Sequence, residues 1–572
     1  MNLLPVPRLL QLSDQLVGPG EPVIARDPSL PPQGYRLRIG ADRDAAVLIE
    51  SSDDAGAFYG QATLRQLARL HGGRVPVGTI EDWPDLPVRG VMLDISRDKV
   101  PTMSTLYDLV DRLASWKINQ LQLYTEHTFA YRDHEDVWRA ASPVTAEEIV
   151  ALDRYCRDRH VELVPNQNCL GHWDRWLKVP RYRSLALEPD GWEERGRRRE
   201  PTTIDPNNPQ ARELVDSLLV ELLPNFTSRR IHVGLDEPWE LPKDRIDDYL
   251  DWVHAVRSLS VLDDREMLMW GDILEARPDL LARLPGAVTI CEWWYDEGYP
   301  WSARGAAYAK ANQPWWACPG TSSWQTILGR WDNALGNIAE AVDGALEQGA
   351  SGLLLTDWGD RGHLQYLPIS EPGFASAAAQ SWCRGANASI DLEAALDAHC
   401  FDDRAGVLGG VLHDLGNAYL KIGPQFPNLS TLVLHLYFPQ MQVGRSFTDG
   451  ITLGEVDDAV DVLADASARL SLAQPARADG RLVIDELQAA ISLVELLARD
   501  LRARLAVDGW LTSVPEQTRR RLADELAPLI ARHRTLWLAR NRPGGLDDSA
   551  AWLEHLERCY RTGETEKYWG GW

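Results

Sequence analysis

The sequence predicts an α/β protein in three parts: a small N-terminal α/β domain (residues 1–86), a (β/α)8 TIM barrel (87–385) and an α-helical C-terminal domain (386–572). Three observations lead there. Short apolar runs alternate with helical patterns through the middle of the chain; no glycine-rich nucleotide loop follows the first of them; and strand signals fade beyond residue 386.

The elements follow in order. Tyr35 to Ile39 alternates apolar and polar residues, Ala46 to Glu50 is a compact apolar strand, and Asp54 to Leu70 carries apolar residues at helical spacing. Trp83-Pro84-Asp85-Leu86-Pro87 punctuates the chain, and a strand, loop, helix repeat begins. Candidate strands are Val88 to Asp94, Asn119 to Tyr124, Val161 to Asn166, Ile231 to Leu235, Glu266 to Trp270, Ala287 to Glu292, Pro314 to Cys318 and Gly352 to Thr356. Helical candidates between them include Ser104 to Trp116, Ala146 to Arg159, Pro209 to Leu223, Ile246 to Leu259 and Asn333 to Gln348. A doubly wound sheet is the competitor, but Asp94-Ile95-Ser96-Arg97 stands where a nucleotide loop would be. Helices are then expected over Gly454 to Leu472, Leu482 to Ala506 and Pro515 to Arg540.

Composition narrows the function. A formal net charge of −25 argues against nucleic acid or an anionic membrane as partner. The single basic run, Arg195 to Arg199, reads as a solvated loop. Pro5, Pro7 and Asp14 interrupt the N-terminal residues, so neither a secretory signal nor a membrane anchor is expected and a cytoplasmic location is the default. Seven cysteines without CxxC spacing read as buried thiols, and no two histidines have the i, i+4 spacing of a helical metal pair, so neither metal nor cofactor is expected. Tryptophan is the outlier, 23 against 8 phenylalanines, an excess suited to flat sugar-stacking surfaces as well as to the core. The aromatic ending Tyr568 to Trp572 suits docking on the same chain or on a second copy, as in a homodimer.

In a barrel of this kind chemistry sits at the C-terminal strand ends. Collected in order, those ends offer Asp94 and Arg97; Tyr124, Glu126 and His127; Asn166, Asn168 and His172; Asp236 and Glu237; Trp270 and Asp272; Glu292, Trp293 and Trp294; Trp315, Trp316 and Thr321; Asp357, Trp358, Asp360 and His363. The result is a carboxylate-rich, indole-walled mouth with Arg97 as its one permanent cation, suited to a neutral polyhydroxylated substrate. Arg97 has a blander alternative, pairing with Asp94 or Asp98, and His172 another, as a hydrogen-bonded structural histidine. Asp236 and Glu237 are adjacent, so they share a site only if the strand has ended or bulges before them; otherwise they cap the helix after Pro238.

Arg89-Gly90-Val91-Met92-Leu93-Asp94-Ile95-Ser96-Arg97, Lys117-Ile118-Asn119, Gly171-His172 and His232-Val233-Gly234-Leu235-Asp236-Glu237, followed by Trp270-Gly271-Asp272, Trp293 and Trp358-Gly359-Asp360, resemble glycoside hydrolase family 20, the β-N-acetylhexosaminidases. The resemblance spans about residues 1–385 and implies an exo-glycosidase that removes terminal β-linked N-acetylhexosamine, GlcNAc or GalNAc, from a small oligosaccharide or glycoconjugate. Family 20 departs from the two-carboxylate scheme because the substrate's acetamide oxygen attacks C1 and forms an oxazolinium intermediate with retention. The resemblance makes Glu237 the acid and base and Asp236 the group that aims the acetamide. It gives Arg97 and Asp360 sugar hydroxyls to hold, His172 a place in the site, and Trp270, Trp293 and Trp358 the pocket wall.

The chain also departs from that family. Leu235 replaces a small residue, Asn166-Gln167-Asn168 replaces an acidic motif, and the acetamide-holding tyrosine has no counterpart in Trp315 to Thr321. Tyr295 or Tyr299 from the preceding loop is the candidate replacement. Two rival readings stay open: a barrel glycosidase for sugars lacking the acetamide, with Asp360 or Glu292 as nucleophile, and a non-catalytic amino-sugar-binding protein.

Overall fold

The computed structural model describes residues 2–41, 47–97, 99–194 and 196–565. Ala46, Asp98, Arg195 and the Tyr568 to Trp572 ending therefore lie outside the described residues.

A five-stranded sheet comes first, in the order Leu9–Val17, Val75–Asp82, Tyr35–Ile39, Val47–Ser51, Val23–Arg26. The helix Asp54–Leu70 covers it, started by Asp53, whose carboxylate accepts the Gly56 N–H at 2.7 Å. Leu9–Val17 escapes a periodicity reading because most of its residues are exposed, which removes the alternation that betrays a half-buried strand.

Eight parallel strands follow: Val88–Asp94, Gln120–Tyr124, Glu162–Val164, Arg230–His232, Glu266–Trp270, Val288–Trp293, Trp315–Cys318 and Gly352–Asp357. They run in sequence order around the sheet, with the eighth paired to the first. The third and fourth are the shortest and meet beyond their ends. There the Gln167 N–H donates to the His232 carbonyl, and the His232 N–H to Pro165, each at 2.9 Å. This is a TIM barrel with helices outside. Its lumen is filled by Met92, Tyr124, Val164, Leu268, Cys291, Trp316 and Leu354, capped by Trp270, Trp358 and Tyr295. Among the described residues, no helix is long and apolar enough to cross a membrane.

Two expectations need correction. The basic run is not an open loop: Arg197–Arg199 pairs antiparallel with Trp192–Glu194, and Arg199 bonds Glu194 at 2.8 Å. Trp315 and Trp316 are absent from the mouth. Alternation along the strand sends Trp315 outward onto Tyr308 and Trp316 into the lumen, where its indole N–H reaches the Ser351 hydroxyl at 3.0 Å near the strand entry.

The helix after the eighth strand, Leu367–Trp382, is buried nearly all round and so lacks an amphipathic stripe. Beyond it, Leu453–Leu470, Gly480–Leu505, Glu516–Arg540 and Leu546–Thr562 make the helical C-terminal region.

One buried ionic knot joins the first sheet to the barrel. Asp82 accepts from Lys117 Nζ at 2.8 Å, Tyr35 Oη at 2.9 Å and Trp382 Nε1 at 2.8 Å. Asp82→Ala strands the Lys117 ammonium away from water, so unfolding in denaturant should show a loss of about 3 to 5 kcal/mol; a midpoint equal to wild type would contradict this account.

Candidate active site

The fourth strand ends at His232, four residues before the acid pair, and the chain then turns. Gly234, Leu235 and Glu237 take left-handed backbone angles, φ of 68°, 71° and 48°. This is how two adjacent carboxylates come to share one site, and neither caps a helix: the next helical segment, the 3-10 turn Lys243–Arg245 that leads into Ile246–Arg257, starts after Pro242. The turn costs about 1 to 2 kcal/mol for each residue carrying a Cβ, here Leu235 and Glu237. Hydrogen bonds from the Glu237 N–H to Asp272 (3.1 Å) and from the Leu235 N–H to Asn168 (3.4 Å) help hold it.

The loop after the third strand closes over this turn. A Cβ on Gly171 would strike the Asp236 carbonyl, so only glycine permits the approach that delivers His172. His172 itself is left-handed, with φ of 58°. Its Nε2 lies 3.2 Å from Asp236 and 3.5 Å from Glu237, and its Nδ1 lies 3.7 Å from Glu126.

One imidazole thus faces three carboxylates, and the charges settle unequally. Burial opposes the charged ring, but Asp236, then Glu126 and Glu237, outweigh it and raise the His172 pKa to about 10. Burial also pushes Asp236 up, yet His172 and the Asn168 amide, which donates to it at 2.7 Å, hold it below the usual value. Glu237 goes the other way. Burial, reinforced by Asp236 and opposed by His172, lifts it to about 7. Burial and the neighbouring Asp236 likewise raise Asp272 to about 8. The ligand atoms of His172, Asp236 and Glu237 lie within 4.8 Å of one another, and a cation placed among them would have to displace the ring proton.

Opposite stands Arg97, 3.2 Å from Asp94, 3.4 Å from Glu126 and 3.6 Å from Asp360, its guanidinium over the Trp358 ring at 5.4 Å. The alternative pairing with Asp94 is therefore realised alongside the contact with Asp360. Trp270 and Trp358 lie 5.9 Å apart, and Trp293 stacks on Tyr295 at 5.1 Å. The Trp358 indole donates to Tyr295 Oη at 2.8 Å. All nine predicted site residues, namely Asp236, Glu237, Arg97, His172, Trp270, Trp293, Trp358, Asp360 and Tyr295, stand at this mouth.

Other strand-end residues do not face it. Glu292 points between its strand and the helix Trp301–Lys310, held by the Tyr299 and Tyr308 hydroxyls, which removes both Glu292 as a nucleophile and Tyr299 as a sugar ligand. Asp357 is occupied by the hydroxyls of Thr321 (2.7 Å), Ser323 and Ser370 (both 2.8 Å). Asn168, one of the strand-end residues but given no role by sequence, is the side chain that fixes Asp236.

The family assignment agrees with this geometry. Residues 9–83 match the model for glycosyl hydrolase family 20, domain 2, and residues 86–314 match that for the family's catalytic domain, together more than half of the chain. The chain belongs to glycosyl hydrolase family 20. Among curated relatives, the lacto-N-biosidase of Bifidobacterium bifidum is 25% identical over 209 residues, covering 36% of this chain and 17% of that protein. The β-hexosaminidase of Akkermansia muciniphila is 27% identical over 236 residues, covering 37% of this chain and 47% of that one. The family 20 chain thus spans about half or less of the length of these relatives. The exo β-N-acetylglucosaminidase of Vibrio harveyi in complex with N-acetylglucosamine superimposes with a TM-score of 0.56 at 16% identity, over 72% of this chain and 78% of that one. The Streptomyces coelicolor β-N-acetylhexosaminidase gives 0.51 at 20% identity, over 69% and 84%. At such identity these two likenesses establish the shared fold.

The charge assignment is directly observable. The His172 ring should stay protonated from pH 5 to 8 in the wild type, with both ring nitrogen NMR shifts remaining in the imidazolium range throughout, and Asp236→Asn should bring its titration down. A wild-type midpoint near 6.5 would contradict the ion-pair geometry.

Proposed function

We propose that this chain is an exo-acting β-N-acetylhexosaminidase that cleaves terminal, non-reducing β-linked GlcNAc or GalNAc by substrate-assisted retaining catalysis. One observation carries the reading: the His172 ring lies 3.2 Å from Asp236 and 3.5 Å from Glu237, so two adjacent carboxylates share one imidazole unequally, Asp236 held below its usual value and Glu237 lifted to about 7. Hydrolysis through an acetamide needs that division of labour.

In the first step Glu237 gives its proton to the glycosidic oxygen while the acetamide carbonyl oxygen attacks C1, breaking the bond to the leaving alcohol. The charged Asp236 accepts the acetamide N–H, aims the carbonyl and offsets positive charge on the oxazolinium. In the second step the Glu237 carboxylate takes a proton from water, the oxygen of which attacks C1. The ring opens to regenerate the acetamide, with the anomeric configuration retained. Arg97 and Asp360 hold hydroxyls of the terminal sugar, and Trp270, Trp293 and Trp358 enclose the acetamide and the ring face.

Tyr295 supports the acetamide reading further. Its hydroxyl oxygen already accepts the Trp358 N–H, so its own proton is left to donate, and the hydroxyl feels the charges of Asp236 and Glu237. In this role it replaces the tyrosine missing from the seventh-strand segment. The substrate in this reading is a small oligosaccharide or glycoconjugate end. The seven free, buried cysteines support a cytoplasmic setting.

The test is kinetic. With β-N-acetylglucosaminide, β-N-acetylgalactosaminide and β-glucoside substrates, only the acetamido sugars should turn over. Glu237→Gln should cost at least about 10²- to 10⁴-fold on natural glycosides. Because Glu237 must be protonated to act first, kcat/KM should fall as pH rises through about 7. Equal turnover of the β-glucoside, or a rate flat to pH 9, would overturn the proposal.

A further inference from the structure

The helices beyond residue 386 touch three of the loops that build the mouth. Where the loop after the first strand enters the helix Met103–Ser115, the Thr102 N–H donates to the Arg540 carbonyl at 2.9 Å and the Thr105 hydroxyl, in the helix's first turn, reaches the same oxygen at 2.7 Å. The Arg542 N–H donates to the Val100 carbonyl at 2.8 Å. Three residues beyond His172, at the second position of the short helix Asp174–Leu177, Arg175 pairs with Asp548 at 2.6 Å. The loop after the eighth strand, which carries Trp358 and Asp360, is clasped most tightly. Arg361 lies over the Phe438 ring at 4.8 Å, Tyr366 Oη meets His533 Nδ1 at 3.2 Å, and a Cβ on Gly362 would run into the Trp552 indole.

Lys99 stands at the junction, two residues from Arg97. It is 8% exposed, and its ammonium donates to the backbone carbonyls of His363, at 3.0 Å, and Gln365. The Gln365 side-chain amide in turn donates to the Trp358 carbonyl at 2.7 Å. The ammonium also lies 5.2 Å from the Trp537 ring, and a cavity beside it is bounded by Glu486 and Arg540, which pair with each other at 2.7 Å. Lys99 therefore ties the Arg97 loop to the Asp360 loop on a floor supplied by the C-terminal helices.

Resting on the sugar-binding roles given above to Arg97 and Asp360, we propose that the C-terminal helical region is a structural part of the sugar pocket. It holds the loop of Arg97 and the loop of Trp358 and Asp360 in register, with Lys99 as the positioning residue that joins them. A group that only positions sugar-binding side chains acts on binding more than on the chemical step. A group that only stabilises the fold lowers the active fraction and leaves KM alone.

The experiment uses the full chain carrying Lys99→Met, which keeps the length of the side chain and removes its donors. Trp552→Phe is a milder second variant made wholly in the helical region. Two readouts are taken on each: KM and kcat for aryl β-N-acetylhexosaminides, and hydrogen exchange of amides in residues 358–366. The expected result is a KM raised about tenfold with kcat within about threefold of wild type, and faster exchange confined to that loop and the one following the first strand. Unchanged loop exchange in a folded variant overturns the inference. So does an unchanged KM in an active one. If the wild type hydrolyses no β-N-acetylhexosaminide, the functional proposal falls separately, and exchange alone decides whether the helices hold the loops. If Lys99→Met does not fold, Trp552→Phe decides by the same two readouts.

Discussion

The site depends on one protonated imidazole held among carboxylates. Three carboxylates, Glu126, Asp236 and Glu237, lie within ion-pair distance of the His172 ring, and a buried cluster of that kind cannot carry three uncompensated negative charges. The imidazolium resolves the conflict by proximity. Asp236, nearest to it and bonded by Asn168, keeps its charge, whereas Glu237, farther away and beside that charge, keeps its proton up to about pH 7. Glu126 also rises to about 7, because burial outweighs the attraction of Arg97 and His172. The backbone arrangement serves this electrostatics. Left-handed residues at 172, 234, 235 and 237 fold two loops against each other until the ring and both acids touch.

The fold was largely legible because its signals are local. Most barrel strands are short apolar-rich runs, although the second, Gln120–Tyr124, alternates buried glutamines with leucines, and the helices between them show their buried stripe. Elements lacking that contrast, the exposed strand Leu9–Val17 and the fully buried helix Leu367–Trp382, carry no period to read. In the site, strand ends could be located but not the direction in which each side chain points. That is why Glu292, Trp315 and Trp316 were gathered with the mouth residues although alternation turns each of them elsewhere. Trp293, one residue past Glu292, faces the pocket for the same reason. Long-range pairs left no mark in the sequence at all: the Asn168 bond to Asp236 joins the loops after the third and fourth strands, and the Lys99 bridge joins the first barrel loop to the eighth.

The departures from the family pattern fall into place as physical substitutions. Leu235 is accommodated in a left-handed turn that buries its side chain completely, trading backbone strain for apolar burial. Asn168, in the position of an acidic motif, gives Asp236 a donor where a third carboxylate would add repulsion. The loop after the sixth strand brings Tyr295 to the pocket wall while Tyr299, four residues on, is consumed by Glu292. The match to the family's catalytic domain ends at residue 314, yet the helices beyond residue 386 still bear on the mouth.

The central claim is that Asp236 and Glu237 are arranged around an acetamide that attacks its own anomeric carbon. Its most direct test is calorimetric affinity for a thiazoline analogue of the cyclic intermediate, measured against N-acetylglucosamine. The account predicts that the analogue binds at least about 10²-fold more tightly, because it presents the ring geometry that the charged Asp236 and Tyr295 are placed to hold. Equal affinities would show a pocket that recognises the sugar but not the intermediate, and would contradict it.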